Sequence, residues 1–166
     1  TAALVHDDIM DKSDTRRGAP SAHRRFEALH RSSGWSGTSE DFGTSSALLL
    51  GDLLLAFSDE LFSNGIAQET NRQAVRAARI EFDRMRIDVT AGQYLDIVEE
   101  RAWPSIDKLS ALSRAQRVVV FKSAKYSIEA PLIIGAALAG ASPTEVDALR
   151  AIGLPLGIAF QLRDDL

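Results

Sequence analysis

Apolar residues recur every three or four positions along almost the whole chain, which is the spacing of one face of an α-helix. A first helix is predicted over roughly residues 1–12, and Gly18 and Pro20 mark a turn before Ser21, which can cap a second helix over about 22–32. The Ser/Gly stretch "SSGWSGTS" reads as a loop. A third helix is expected from about Ser39 to Asn64 with Gly65 as its C-cap, and a fourth, long one over about 67–101. Trp103-Pro104 breaks the pattern, Ser105 is placed to cap the next stretch, and helix then continues to about Ala139, with a bend expected near Lys122. "SPTE", Ser142 to Glu145, is a capping box with proline at the first helical position, so the last helix starts there and should kink at Pro155. No segment alternates β-branched and polar residues long enough for a strand. The predicted fold class is all-α.

The chain opens inside one apolar helical pattern without a starting Met and stops inside another at Leu166. It is therefore expected to be a single helical domain, 1–166, belonging to a longer protein.

Composition narrows the function classes. With 45% hydrophobic and 25% charged residues in 166, the chain can bury a real core. A net charge of -4 argues against nucleic acid as the main partner, since a phosphate backbone calls for a basic face. No cysteine is present, which excludes disulfides, thiolate nucleophiles and Cys-ligated zinc and permits a reducing cytoplasm. The longest apolar run, "APLIIGAALAGA", is too short to span a bilayer.

The chemistry concentrates in "HDDIMDKSDTRRG", His6 to Gly18. Residues four apart share a helix face, so Asp7 and Asp11 lie one above the other with Asp8 beside them. Hard carboxylate oxygens of this kind suit Mg²⁺, while the forked guanidinium groups of Arg16 and Arg17 suit phosphate oxygens. Together they ask for one ligand, a metal-bound diphosphate. A second acidic pair, Asp164-Asp165, ends the last helix behind Phe160-Gln161. Gly43, Ala47 and Gly51 form a stripe of small residues that admits two readings, a close helix crossing or room for a long ligand. Asp52, interrupting an apolar run, is expected to be buried and hydrogen-bonded, and His6 and His23 are read as structural.

These segments resemble the trans-isoprenyl diphosphate synthases. "DDIMDKSDTRRGAPSAH" is similar to that family's first aspartate-rich motif, "LLLGDLLL" to its GD helix, "GQYLD" and "FKSAKYS" to its GQxxD and KT segments, and "GIAFQLRDD" to the start of its second aspartate-rich motif. The resemblance covers essentially the whole chain and is nearest to bacterial geranylgeranyl diphosphate synthases. It implies an antiparallel helical bundle around a central cavity, a cytoplasmic homodimer, and transfer of an allylic prenyl group to isopentenyl diphosphate.

Carried over by position, the resemblance makes Asp7 and Asp11 the leading Mg²⁺ ligands with Asp8 adjacent, and Asp164 the ligand of a further Mg²⁺ with Asp165 beside it. Arg16 and Lys122 would hold the allylic diphosphate and Arg17 the isopentenyl diphosphate, while Gln93, Asp96, Ser123, Tyr126 and Gln161 line the reacting region. Ser123 stands where the family usually has Thr, which keeps the hydroxyl. The second motif's third Asp would fall beyond Leu166, and the upstream residues for isopentenyl diphosphate are absent, so that half of the site is expected to be incomplete here. Ala2 and Ala3 precede Asp7 where short-chain members carry an aromatic floor, which implies a product longer than farnesyl, geranylgeranyl first and longer chains second.

Bland readings compete with several of these. Lys122 and Lys125 are also consistent with a solvated basic face, with Lys125 assigned to it, and Gln93 and Asp96 with an exposed pair. A terpene cyclase is opposed by "FQLRDD", and a non-catalytic subunit of a heteromeric synthase by the intact first motif.

Overall fold

The computed structural model describes residues 2–164 and 166, and they divide into two units, Thr1–Gln68 and Glu69–Leu166. In the first unit, α1 (Ala2–Met10) leads into strands β1 (Thr15–Arg16) and β2 (Ala19–Pro20), then α2 (Ala22–Ser33) and α3 (Ser39–Ile66). The two-residue ribbon departs from the strand-free expectation. Its loop residues, Arg17 (φ 53°) and Gly18 (φ 77°), both lie at positive φ, as a type I′ hairpin requires, and so the predicted turn becomes a hairpin.

Buried Gly43, Ala47 and Gly51 let α3 take α1 and α2 at close range. A Cβ on Gly43 would stand 2.5 Å from the His23 carbonyl oxygen, and one on Gly51 only 2.0 Å from His6 Nε2. The space is filled by neighbouring helices, so the stripe is a packing device and the ligand-room reading falls. His6 settles there by donating to Leu48 O at 3.2 Å. Asp52 corrects another expectation: its side chain is 62% exposed, 3.5 Å from His6 Nε2, because it sits at the solvent edge of the α1–α3 contact. Gly65 is likewise no C-cap. The helix runs past it and closes with Ala67 N–H donating to Asn64 O, without a left-handed residue.

Glu27 is buried on α2 between Arg24, which donates at 2.8 Å, and Arg31. The Arg24 hydrogen bond holds its carboxyl below the usual carboxylate range. The native state therefore binds that proton less readily than the unfolded chain. The resulting stability is present above the unfolded value of about 4.3 and lost as pH falls through the lower folded one. Thermal unfolding against pH should show a shallower acid decline below about pH 4.3 for Glu27→Gln than for the parent. Parallel acid limbs would remove Glu27 from the linkage.

The second unit holds α4 (Arg72–Ala102), a 3₁₀ turn (Trp103–Ser105), α5 (Lys108–Val118), a π-helical segment (Val119–Glu129), α6 (Ala130–Leu138) and α7 (Pro143–Asp164). α4 starts later than predicted because Asn71 caps it, accepting from Gln73 N and Ala74 N at 3.1 Å each. Asp107, not Ser105, caps α5, accepting from Leu109 N at 3.2 Å. The Ser142/Glu145 box forms as expected: Glu145 Oε2 accepts from Ser142 N at 2.8 Å, and α7 continues through Pro155.

The π segment carries the predicted Lys122, where the sequence suggested a bend. Pro131 follows it with no N–H for the helical ladder, and widening the preceding turns accommodates the proline ring. Glycines clamp this segment from both sides. A Cβ on Gly92 of α4 would meet Lys122 N at 2.3 Å, and one on Gly157 of α7 would meet Ala124 O at 2.6 Å.

Candidate active site

The predicted site residues fall into two groups, one in each unit. In the first, α1 stops at Met10, and Asp11 continues its last turn by donating its N–H to Asp7 O at 2.9 Å. Lys12 then takes a positive φ of 54° and Ser13 N–H donates to Asp8 O, so the chain turns back over the end of its own helix. The hairpin returns Arg16 to the carboxylates. Arg16 Nε donates to Asp8 Oδ1 at 2.9 Å, while Nη2 bridges Asp8 Oδ1 at 2.6 Å and Asp7 Oδ2 at 3.2 Å. Asp8 is the deeply placed member, with its side chain only 4% exposed against 16% for Asp7. Hydrogen bonding to Asp8 holds the Arg16 pKa above its ordinary value, with burial pulling the other way.

A buried carboxylate needs a cation, and the guanidinium supplies it here. Arg17 is exposed at the tip of the hairpin. Asp11, one turn after Asp7, is exposed as well. This set of hard oxygen donors fits Mg²⁺ in chemistry, and the seated guanidinium shows that it holds positive charge. Among the described residues no three His, Asp or Glu side chains converge on one point as a ready-made metal cage.

In the second unit the structure joins two predicted residues that are distant in sequence. Lys122 Nζ donates to Asp96 Oδ2 at 2.6 Å, made possible by the bare backbone at Gly92, one turn before Asp96. Neither is the freely solvated residue of the bland reading: their side chains are 25% and 39% exposed. Lys125 is a correction too. It pairs with Asp88 at 2.8 Å and lies over the Phe121 ring at 4.3 Å, because the π segment turns it against α4 instead of outward.

Ser123 and Tyr126 share the π segment and are half-buried, as is Gln93 on α4. Gln161 is half-buried on α7, and Asp164 is exposed at its end. Asp165 lies outside the described residues. Gly92 was missed as a site residue. Its signal, a glycine inside a strongly helical pattern, is the mark of close backbone approach.

Residues 1–166 match the polyprenyl synthetase family throughout. The geranylgeranyl diphosphate synthase of Sulfolobus acidocaldarius is 30% identical over 166 residues, which are 100% of this chain and 43% of that protein. The geranylfarnesyl diphosphate synthase of Aeropyrum pernix is 32% identical over 170 residues, 100% of this chain and 45% of that protein. Among solved structures, geranylgeranyl pyrophosphate synthase from Corynebacterium glutamicum, complexed with isoprenyl diphosphate and magnesium, is 42% identical with a TM-score of 0.89, covering 99% of this chain and 44% of that one. The chain thus spans less than half the length of these relatives.

Proposed function

The chain belongs to the polyprenyl synthetase family, and on that premise we propose that its protein condenses isopentenyl diphosphate with an allylic prenyl diphosphate. The observation that carries this reading is Arg16 seated on Asp7 and Asp8 in the first unit, with Asp11 one turn on and Arg17 exposed beside it at the hairpin tip, an acceptor set and a donor set suited to one metal-bound diphosphate. The related structure bound to isoprenyl diphosphate and magnesium supports it.

In this reading Asp7, Asp8 and Asp11 hold Mg²⁺, with Asp164 and Asp165 for a further ion. Bound Mg²⁺ would offset charge on the leaving diphosphate and so ease its departure. Arg16 and Lys122 bind the allylic diphosphate and stabilise the negative charge that gathers as its C–O bond breaks. Arg17 takes the isopentenyl diphosphate. Hydroxyl and amide oxygens of Ser123, Tyr126, Gln93 and Gln161, with the Asp96 carboxylate, offset the allylic cation. The isopentenyl double bond attacks that cation, and the diphosphate released takes the proton lost when the new double bond forms. Asp96 also holds Lys122 in place through the 2.6 Å ion pair.

The product we propose is geranylgeranyl diphosphate. Ala3 stands one turn before Asp7 on α1 and is half-buried, while Ala2 is buried, so neither places a ring in the path of a tail running back along the helix. The geranylfarnesyl relative favours a still longer chain as the second reading. The protein is proposed to act as a homodimer in the cytoplasm; no helix among the described residues is long and apolar enough to cross a membrane.

The test supplies isopentenyl diphosphate with each allylic primer, with Mg²⁺ or with a chelator, and separates the products by chromatography. Mg²⁺-dependent geranylgeranyl diphosphate is expected, and Ala3→Phe should shorten it by at least one isoprene unit, because a ring filling the channel excludes the longer chain. No condensation with any primer would refute the function, and an unchanged product length in Ala3→Phe would move the tail away from α1.

A further inference from the structure

Arg16 occupies the same carboxylates that the proposed function gives to a metal. Its Nε and Nη2 both lean on Asp8 Oδ1, and Nη2 reaches Asp7 Oδ2 as well. Asp8 is 3% exposed, so its charge cannot be left to water. Removing the guanidinium without a replacement would leave a buried, uncompensated carboxylate, which is a strongly unfavourable state. Adding a divalent cation while the guanidinium stays would crowd like charges onto the same two carboxylates. The pair therefore accommodates one of the two cations at a time.

Arg16 is also built to be drawn away. Its side chain is 37% exposed, and Nη1 makes no hydrogen bond among the described residues, which leaves donor capacity for an anion. Its backbone is held by the β1–β2 pairing, with Arg16 opposite Ala19, so it can change partner by side-chain rotation alone.

We propose that Arg16 is the resident counter-ion of the Asp7–Asp8 pair and that a divalent cation enters only by exchanging with it. A diphosphate that engages Arg16 thereby clears the carboxylates for the metal. This rests on the proposed function, in which these aspartates bind Mg²⁺ and Arg16 binds diphosphate. It adds that the free site is held shut against the metal by one of its own ligand-binding residues.

The test is metal binding in the absence of turnover, with Mn²⁺ followed by electron paramagnetic resonance and Mg²⁺ by calorimetry. The parent protein, Arg16→Gln and Arg16→Lys are compared with and without inorganic diphosphate. Without diphosphate, Arg16→Gln should bind metal about tenfold or more tighter than the parent, within the roughly 5- to 150-fold range of site-to-site coupling. Arg16→Lys, which keeps the charge but loses the fork, should fall between them. The melting temperature of Arg16→Gln should rise on adding Mg²⁺ more than that of the parent, because the metal replaces the missing counter-ion. Should Arg16→Gln not fold without metal, the affinity of Arg16→Lys decides in the same way.

Metal affinities in the variants no tighter than in the parent would overturn the exchange while leaving the metal site standing. If diphosphate brings no metal to any of the three proteins, the metal reading of the aspartates fails and takes the exchange with it.

Discussion

Asp7→Ala is expected to lower turnover by about two to three orders of magnitude, the cost of removing one preorganised electrostatic contact to a leaving group. Asp7 is the more open of the two aspartates on Arg16, 16% exposed against 4%, and the further from it, at 3.2 Å. Alanine there removes a carboxylate while the stronger Arg16–Asp8 pair remains. The fold should survive, and thermal unfolding close to the parent's would show it. Asp164→Ala, exposed at the end of α7, should cost a similar factor with still less effect on folding. Steady-state kinetics at saturating Mg²⁺ checks both. Near-parental turnover in either variant would take that aspartate out of the proposed metal site.

The largest loss of stability is expected from Arg150→Ala. Arg150 Nη2 donates to Glu81 Oε1 at 2.5 Å and Nη1 to Glu129 Oε1 at 2.9 Å, tying α7 to α4 and to the end of the π segment. Burial draws its pKa down, but the hydrogen bonds it donates to the two carboxylates more than offset this and leave it raised. Truncation leaves Glu129, 9% exposed, without its cation and Glu81, 14% exposed, with only the longer 3.4 Å bond from Arg84. Breaking a buried pair in this way costs about 3 kcal/mol, the lower end of the range because Arg150 itself stays partly open. Urea unfolding should show the midpoint fall, with Arg150→Lys recovering part of it. A shift under about 0.5 kcal/mol, the size of an ordinary surface substitution, would mean the network is solvated.

Helices announced themselves in the sequence because their stabilising faces repeat locally. The Ser142/Glu145 box fixed the start of α7 for the same reason, since both partners lie within one turn. Boundaries set by less conspicuous caps were missed at Asn71 and Asp107, although each is a good capping residue. Pro131 signalled a disturbance of the helix near Lys122, but not that the turns before it widen into a π segment. Its apolar spacing overlaps that of an α-helix, and the glycines that clamp it sit on other elements.

The candidate site divides in the same way. Asp7, Asp8, Asp11, Arg16 and Arg17 lie within one short stretch, and their chemistry could be read from it. That Arg16 rests on Asp8 depends on two residues at positive φ, Lys12 and Arg17, neither of them a glycine. The Lys122–Asp96 and Arg150–Glu81 pairs join positions 26 and 69 apart, so only helix packing brings them together.

The tip of the hairpin sets folding against use. Arg17 holds a φ of 53°, a backbone state that asparagine or glycine adopts readily and that costs an arginine about 1 kcal/mol. Its exposed side chain makes no hydrogen bond or ion pair among the described residues to repay that cost. Any selection of variants for thermal resistance alone, in the laboratory or by consensus design, should therefore drift toward Asn or Gly at this position. Such drift would improve the hairpin while deleting the cation proposed for isopentenyl diphosphate, so a stabilised lineage is expected to fold better and to lose its grip on that substrate first.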